Sequence, residues 1–387
     1  MFQTNMVTHL WDLVDEGLES VLDCLHGGIG VTGLCVPVAT GPGRHLRYGA
    51  GVVPRVFQTR GGVFFPPNKA RYERTRCKPI SSGWLRSRDP LRKLSELCRE
   101  RGLGLRAVIE CTNTGRIAAH DAHFAQKNVF GDVSRSQVCL ANADVAEFVR
   151  ALSVDVSSTY AIDTVELTGL APLSCSATDS HQYLSLGAQQ LLALCFCESC
   201  MQSAAEAGVD VESAARSATV RLDTVFRTGQ PIETSLAALA DDDPPLCSFL
   251  AWYRDRIAAL VSSVGASCNA CIASHARLAS GAGEEAIDPG YTRGANIVVL
   301  DFFDAEIGLL ERTIGHLRGT LVDEQRLEAQ LSVTPPAAGD DQALVRNLTR
   351  VAESGIPSAN LDHYGRLPRD HVDLVKQAIR FARRTFR

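Results

Sequence analysis

Short apolar runs of strand length alternate with longer helical patterns along the whole chain. The runs lie at residues 1–7, 28–38, 103–110, 162–167, 269–274, 296–301, 327–333 and 358–362. Strands that alternate with helices form parallel sheets, because each helix carries the chain back to the same edge. Eight repeats predict an α/β fold of the closed (β/α)8 type, the TIM barrel. An open doubly wound sheet is the alternative, but no G-x-G-x-x-G motif stands between a strand and a helix to support it.

The connections between the runs differ in length. Long loop insertions are predicted after strands 2, 3 and 4, and the third carries a helical insertion at about 171–262. Apolar residues at helical spacing predict a helix over Leu10–Leu25. Asp89 and Pro90 supply the cap and first-turn proline of a helix that ends at Arg101. With 387 residues, of which 45% are hydrophobic, the chain suits one barrel domain spanning 1–387.

Composition disfavours several classes of partner. The net charge of −5 argues against nucleic acid, since phosphate binding needs a basic face. No apolar run reaches the length of a membrane span, and Asp12 and Asp15 interrupt any secretion signal. The 13 cysteines are odd in number and unevenly spaced, which is typical of reduced thiols and predicts a cytoplasmic location. The sequence does not decide the oligomeric state, and a homo-oligomer is compatible with it.

Acidic residues stand where predicted strands end, and barrel enzymes place their chemistry there. They are Glu110 on the third run, Glu166 on the fourth, Asp301 on the sixth and Asp362 on the eighth. Glycoside hydrolysis needs two carboxyl groups across a sugar, one protonated and one ionised. We therefore predict Glu166 and Asp301 as the first catalytic pair, with Glu110 as a further catalytic candidate. Each acid also has a structural interpretation, as a helix cap or an arginine partner.

A small carbohydrate is the predicted ligand. Aromatic faces suit the C–H surfaces of a sugar, and polar loop residues suit its hydroxyls. The predicted substrate-binding residues are Trp11, Asp12, Trp84, His181, Asp362 and Tyr364. The many arginines between Thr40 and Arg88 are compatible with an anionic group on that sugar, and equally with an ordinary solvated loop.

A compact cysteine motif follows the fourth strand. Cys195, Cys197 and Cys200 form C-x-C-x-x-C, which puts three thiols into six residues. A tetrahedral structural zinc ion requires a fourth ligand, and Cys139 is the best candidate. The alternative is a set of buried reduced cysteines without metal. No organic cofactor is predicted.

These motifs resemble the family 42 glycoside hydrolases, the barrel β-galactosidases, and related uncharacterised TIM-barrel glycosidase-like proteins. The resemblance covers roughly Leu103 to Gly208. It implies a zinc site made of Cys139, Cys195, Cys197 and Cys200, and it implies that Glu166 is the general acid/base.

The chain departs from that family at several positions. Val165 stands where the family has an asparagine, and the gap from Glu166 to Cys195 is longer. The family's nucleophile is a glutamate at the end of strand 7, but Leu331–Thr334 contains none and Glu328 lies at the opposite end of its strand. A retaining β-galactosidase mechanism is therefore not carried over. The other hypotheses are a catalytically inactive barrel that binds sugars or scaffolds a partner, and a barrel lyase or isomerase.

Overall fold

A computed structural model describes residues 2–48, 54–114, 116–171, 184–277, 289–301, 325–333 and 342–386, together with residues 314 and 321. Eight parallel strands pair side by side, and the eighth returns to pair with the first, so the sheet is a closed barrel. The predicted (β/α)8 fold is therefore confirmed. The barrel strands are β1 Gln3–Val7, β2 Gly33–Thr40, β3 Gly104–Glu110, β4 Thr164–Thr168, β5 Cys271–Arg277, β6 Ile297–Asp301, β7 Arg326–Ser332 and β8 Ser358–Asp362.

Short accessory strands lie in the loops. An antiparallel hairpin, Gly43–Leu46 with Val56–Thr59, follows β2, and Gly62–Val63 then pairs with the end of β2. A second hairpin, Ala125–Lys127 with Val133–Val138, follows β3. Both hairpins belong to the loops that the sequence predicted to be long.

Helices cover the outside of the barrel and fill the long insertion. The α-helices are Leu10–Glu16, Leu18–Leu22, Pro90–Arg101, Arg116–His120, Ala143–Thr159, Leu186–Leu192, Glu198–Glu206, Val211–Thr228, Leu236–Asp241, Pro244–Ser267, Ala343–Glu353 and Val372–Thr385. The helix Pro244–Ser267 packs against Ala143–Thr159 and against β5. It therefore takes the place of the barrel's own helix after β4, and the inserted helices precede it.

The first helical segment differs from its prediction. The expected helix Leu10–Leu25 is divided at Gly17, whose φ of 93° lies in the left-handed region that interrupts a right-handed helix. A π-helical turn, Asp23–Ile29, then occupies the predicted start of the second strand, and β2 begins at Gly33. By contrast, the helix Pro90–Arg101 has the predicted bounds, and the Asp89 carboxylate accepts the Arg92 N–H at its start.

Polar side chains occupy the inside of the barrel. Successive strand residues point alternately outward to the helices and inward to the barrel axis. The inward positions include the buried residues Arg106, Glu166, Glu328 and Asn360. Among the described residues, no helix is both long enough and apolar enough to cross a membrane.

Candidate functional site

A charged network from four strands lies inside the barrel. Arg106 of β3 places its Nη1 atom 3.0 Å from Oε2 of Glu166 on β4 and 2.9 Å from Oε2 of Glu328 on β7. His275 of β5 places Nε2 2.7 Å from the other oxygen of Glu166, Oε1. All four side chains are almost fully buried. Both oxygens of Glu166 are therefore held by cationic or hydrogen-bonding partners.

Glu166 is predicted from the sequence, whereas Arg106 and His275 are not. The residues lie far apart in the chain and meet only because β3, β4 and β5 are neighbours in the barrel. One signal would have found them. Arg106 is an ionisable residue inside the apolar run 103–110, where an unpaired charge is too costly to bury. The same signal applies to His275 once the fifth strand is extended beyond residue 274.

Glu166 is held in its ionised form. Burial opposes ionisation, but the charge and hydrogen bond of His275, with those of Arg106, outweigh it and lower the pKa of Glu166 to about 2. Burial also acts against a charged His275, yet the neighbouring Glu166 carboxylate raises the pKa of that imidazole above its usual value. The centre of the barrel therefore holds an ionised carboxylate hydrogen-bonded to an imidazole.

We call the C-terminal ends of the strands the mouth. Three further acids lie there, namely Asp362, Asp301 and Glu110. Asp362 ends β8 and forms an ion pair with Arg366. Its burial outweighs that pairing and raises the pKa of the carboxyl to about 6. Asp301 ends β6 and is half-buried, and its negative charge helps to raise the pKa of His275.

Glu110 lies at the end of β3, away from this centre. Its Oε2 accepts the backbone N–H of Gly41 at 2.7 Å. Burial raises the pKa of Glu110, although the Gly41 hydrogen bond opposes the change. The hydrogen bond ties Glu110 to the loop after β2, which is the structural role that the sequence analysis kept open for it.

Three imidazoles meet at the ends of β1 and β8, and we call His9, His45 and His363 the histidine cluster. The His9 ring lies 4.1 Å from that of His363 and 4.6 Å from that of His45, measured between centroids. Burial lowers the pKa of all three, that of His45 to about 4. The cluster is therefore neutral at neutral pH.

Two predicted substrate-binding residues support this cluster. Trp11 is fully buried and stacks with His9 at 4.1 Å and with Phe57 at 4.5 Å. Asp12 is also buried, and its Oδ1 accepts the Nε–H of Arg47 at 2.7 Å. In this conformation neither side chain offers an open surface to a ligand.

The remaining predicted binding residues are spread around the mouth. The Tyr364 hydroxyl donates to Glu16 at 3.0 Å. Trp84 is half-buried, and Arg88 covers its ring at 5.5 Å. His181 lies outside the described residues.

His9, Asp12 and His363 bring three possible metal ligands within 4.8 Å of one another. The Nδ1 atom of His363 accepts the Gly365 N–H at 3.0 Å, so the proton of the neutral ring sits on Nε2. A protonated nitrogen has no lone pair for a metal. The Asp12 carboxylate is already paired with Arg47, whose charge repels a cation. The histidine cluster therefore does not fit a metal ion.

The four predicted cysteine ligands do come together, and we call them the cysteine centre. The sulfur atoms of Cys139, Cys195, Cys197 and Cys200 lie within 4.8 Å of one another, and all four residues are buried. The Sγ atoms of Cys139 and Cys200 are 3.4 Å apart. In a tetrahedral site with Zn–S bonds of about 2.3 Å, the sulfurs are about 3.8 Å apart. The arrangement fits a structural zinc ion.

Local structure positions these thiols. Cys139 follows the strand Val133–Val138, and Cys197 is the N-cap residue of the helix Glu198–Glu206, whose first turn contains Cys200. The backbone N–H of Lys127 donates to the Cys195 sulfur at 3.5 Å. Hydrogen bonds from the Cys139, Cys195 and Cys200 thiols lower the pKa of Cys197 far below its usual value. Hydrogen bonds within the same cluster raise the pKa values of Cys139 and Cys200. The metal-free cluster therefore favours thiolate, the form that binds zinc, at Cys197.

Comparisons with known proteins bear on the fold. No protein-family model and no curated protein matches the chain. It is similar to alpha-L-fucosidase isoenzyme 2 from Paenibacillus thiaminolyticus, with 11% identity and a TM-score of 0.56 over 98% of this chain and 49% of that one. The chain thus spans about half the length of that protein.

Two more solved structures are similar over most of the chain. The PgaB (BpsB) glycoside hydrolase domain from Bordetella bronchiseptica has 12% identity and a TM-score of 0.53, over 99% of this chain and 98% of that one. A beta-N-acetylhexosaminidase has 11% identity and a TM-score of 0.50, over 97% and 71%. At such low identity the likeness shows the fold alone, and the resemblance to family 42 stays a prediction. The chain has the (β/α)8 barrel fold that these glycoside hydrolases share.

Proposed function

We propose that the chain hydrolyses a glycosidic bond of a small carbohydrate at the mouth of the barrel. One observation carries the proposal. The environments of Glu166 and Asp362 drive their pKa values in opposite directions, to about 2 and about 6. Both carboxyl groups interact electrostatically with the same imidazole, that of His275. Neighbouring carboxyl groups with separated pKa values are typical of an acid and its ionised counterpart. Glycoside hydrolysis requires that pairing.

In this proposal Asp362 is the general acid and protonates the oxygen of the leaving group. Glu166 stays ionised because Arg106 and His275 hold it so, and its negative charge stabilises the positive charge that develops on the sugar. Asp301 remains the predicted partner of Glu166, as the base or nucleophile. It ends β6, and its negative charge acts on the same His275.

A binding protein without catalytic activity is the second candidate. Both oxygens of Glu166 are occupied, one by Arg106 and the other by His275. An acid held in this way suits a structural ion pair as well as a catalytic carboxylate. This second function predicts a sugar ligand and no turnover.

We also propose that the cysteine centre holds one structural zinc ion. It would join the hairpin after β3 to the helical insertion after β4, since Cys139 belongs to the former and the other three cysteines to the latter. The ion would stabilise the loops near the mouth and take no part in the hydrolysis.

A panel of chromogenic glycosides tests the catalytic proposal, with Glu166→Gln and Asp362→Asn as variants. General acid–base catalysis contributes about 10²- to 10⁴-fold, so kcat for Asp362→Asn should fall by at least about 100-fold. Loss of a preorganised electrostatic stabiliser costs about 10²- to 10³-fold, so a similar fall is expected for Glu166→Gln. Glu328→Gln is the matched control, because Glu328 contacts the same Arg106 nitrogen but lies nearer the opposite end of the barrel. It should retain most of the activity.

The pH dependence gives an independent readout of the same experiment. A general acid must be protonated, so kcat/KM should decline as the pH rises above about 6, where Asp362 loses its proton. Wild-type rates in both variants would contradict the catalytic assignment. Tight sugar binding without hydrolysis of any substrate would favour the second candidate.

A further inference from the structure

The N-terminal end of the barrel, opposite the mouth, is open. A cavity of about 660 Å³ enters there, and we call it the floor cavity. Its wall is built from the first residues of β1 to β7 and includes Gln3, Asn5, Arg106, Thr164, Cys271 and Glu328. Its volume lies within the range of about 300–1,000 Å³ that is typical of ligand sites. In most barrels this end is packed and contributes only to stability.

Small residues make room for a polar side chain in this wall. Gly33 and Gly104 are paired neighbours at the starts of β2 and β3. A Cβ atom on Gly33 would lie 2.6 Å from the Oδ1 atom of Asn5, which is too close. Asn5 is itself fixed by a hydrogen bond from its Nδ2 to Oδ1 of Asn360 at 2.9 Å. Polar contacts therefore replace the bulky apolar side chains that fill other barrels.

The charges around the floor cavity favour an anion. Arg106 forms part of the wall and is only 7% exposed. Arg99 and Arg326 lie at the rim and are exposed, and neither has an ion-pair partner among the residues that the structure describes. The rim acid Asp163 already accepts the Leu105 N–H at 2.8 Å. The lining as a whole carries three arginines and two acids, so its net charge is positive.

The neutral lining favours hydroxyl groups. Gln3, Asn5, Thr32 and Thr164 supply amide and hydroxyl groups around the wall. The buried Glu328 adds a carboxylate that can accept a further hydrogen bond, since only one of its oxygens faces Arg106. Such a mixed lining recognises a molecule with several hydroxyls better than an apolar one.

We propose that the floor cavity is a second ligand site, which binds a small polyhydroxylated anion such as a sugar phosphate or a sugar acid. Arg99 and Arg326 supply the positive charge, because guanidinium groups match both phosphate and carboxylate. The neutral polar wall receives the hydroxyls. The site lies at the opposite end of the barrel from Asp362 and does not depend on hydrolysis.

Cys271 makes the proposal directly measurable. It is an exposed cysteine in the wall of the floor cavity, whereas Cys247 is an exposed cysteine on the helix Pro244–Ser267 and does not line the cavity. Alkylation of both by N-ethylmaleimide can be followed by mass spectrometry, with glucose 6-phosphate, gluconate or glucose present at constant ionic strength. A ligand at ten times its Kd should slow the alkylation of Cys271 about tenfold.

We expect glucose 6-phosphate or gluconate to protect Cys271, and glucose to give no protection. The anion that protects Cys271 more strongly shows whether the site prefers phosphate or carboxylate. Protection should disappear in the double variant Arg99→Ala with Arg326→Ala and persist in Arg227→Ala, an exposed arginine outside the cavity. Equal thermal unfolding of these variants shows that the fold is intact.

Several outcomes would overturn the floor site. They are no protection by either anion, equal protection by glucose, equal protection of Cys247, and protection that survives in the double variant. Alkylation needs no turnover. A negative result in this experiment therefore does not contradict the proposed hydrolysis, and absence of hydrolysis at the mouth does not contradict the floor site.

Discussion

The cysteine centre and the histidine cluster are both compact groups of side chains that commonly bind metals, yet only one fits a metal ion. In the cysteine centre the thiols compete for protons, and the pKa of Cys197 is lowered. In the histidine cluster every ring is held neutral, and the Gly365 N–H occupies the free nitrogen of His363. The difference teaches that residue type and proximity do not define a metal site. A metal site also requires that each ligand atom directs a free lone pair at the ion.

The largest expected effect concerns the cysteine centre. Cys200→Ser should lose the zinc and lower the free energy of unfolding by at least about 4 kcal/mol, since loss of a metal is among the most destabilising changes. Metal analysis and denaturant unfolding would measure the two effects. Cys247→Ser, at an exposed position, is the control. A metal-free wild-type protein with unchanged stability in Cys200→Ser would show that the two clusters are alike.

A smaller effect is expected at the edge of the histidine cluster. Asp12→Asn removes one partner of the buried Arg47, whose other partner, Asp15, is more exposed. Breaking a buried ion pair in this way should cost about 3 kcal/mol of unfolding free energy. The zinc content should not change. If the metal content fell with Asp12→Asn, the histidine cluster would have to be a metal site after all.

The smallest effect is a change in acid sensitivity. The folded protein lowers the pKa of His45 from 6.5 to about 4, so the unfolded chain binds protons first as the pH falls. The stabilisation is complete above about pH 6.5 and is lost as the pH drops toward 4. His45 is partly exposed, and solvent screening weakens the effect. His45→Gln should therefore reduce the loss of stability between pH 7 and 5 by about 1 kcal/mol. Denaturant unfolding at pH 7 and pH 5 measures this loss of stability, and His120→Gln, at an exposed position, is the control. A loss equal to that of the wild type in His45→Gln would rule out a role for His45.

The sequence predicted the barrel well because strand and helix periodicity are local properties. The run 358–362 coincides with β8, and the cap at Asp89 sets the start of its helix. The first helix was predicted too long because a single glycine, Gly17, adopts a conformation that no periodicity records.

The candidate site was less predictable from sequence. The cysteine centre was found because three of its members lie within six residues. The partners of Glu166 were missed because Arg106 and His275 are 60 and 109 residues away from it in the chain. Such pairings depend on the exact bounds of each strand and on which of its residues face inward. The predicted fifth run ended at residue 274, one residue before His275.

The single guanidinium of Arg106 has a consequence for how this sequence can change over time. One nitrogen contacts both Glu166 and Glu328, so replacing the arginine alone would leave Glu328 without a cation and Glu166 with His275 alone. Loss of the arginine is therefore disfavoured unless the two glutamates change with it. In an alignment of relatives, we expect the three columns to vary as a unit, present together or replaced together by apolar residues. That joint inheritance would separate the lineages that keep a charged barrel interior from those that abandoned it.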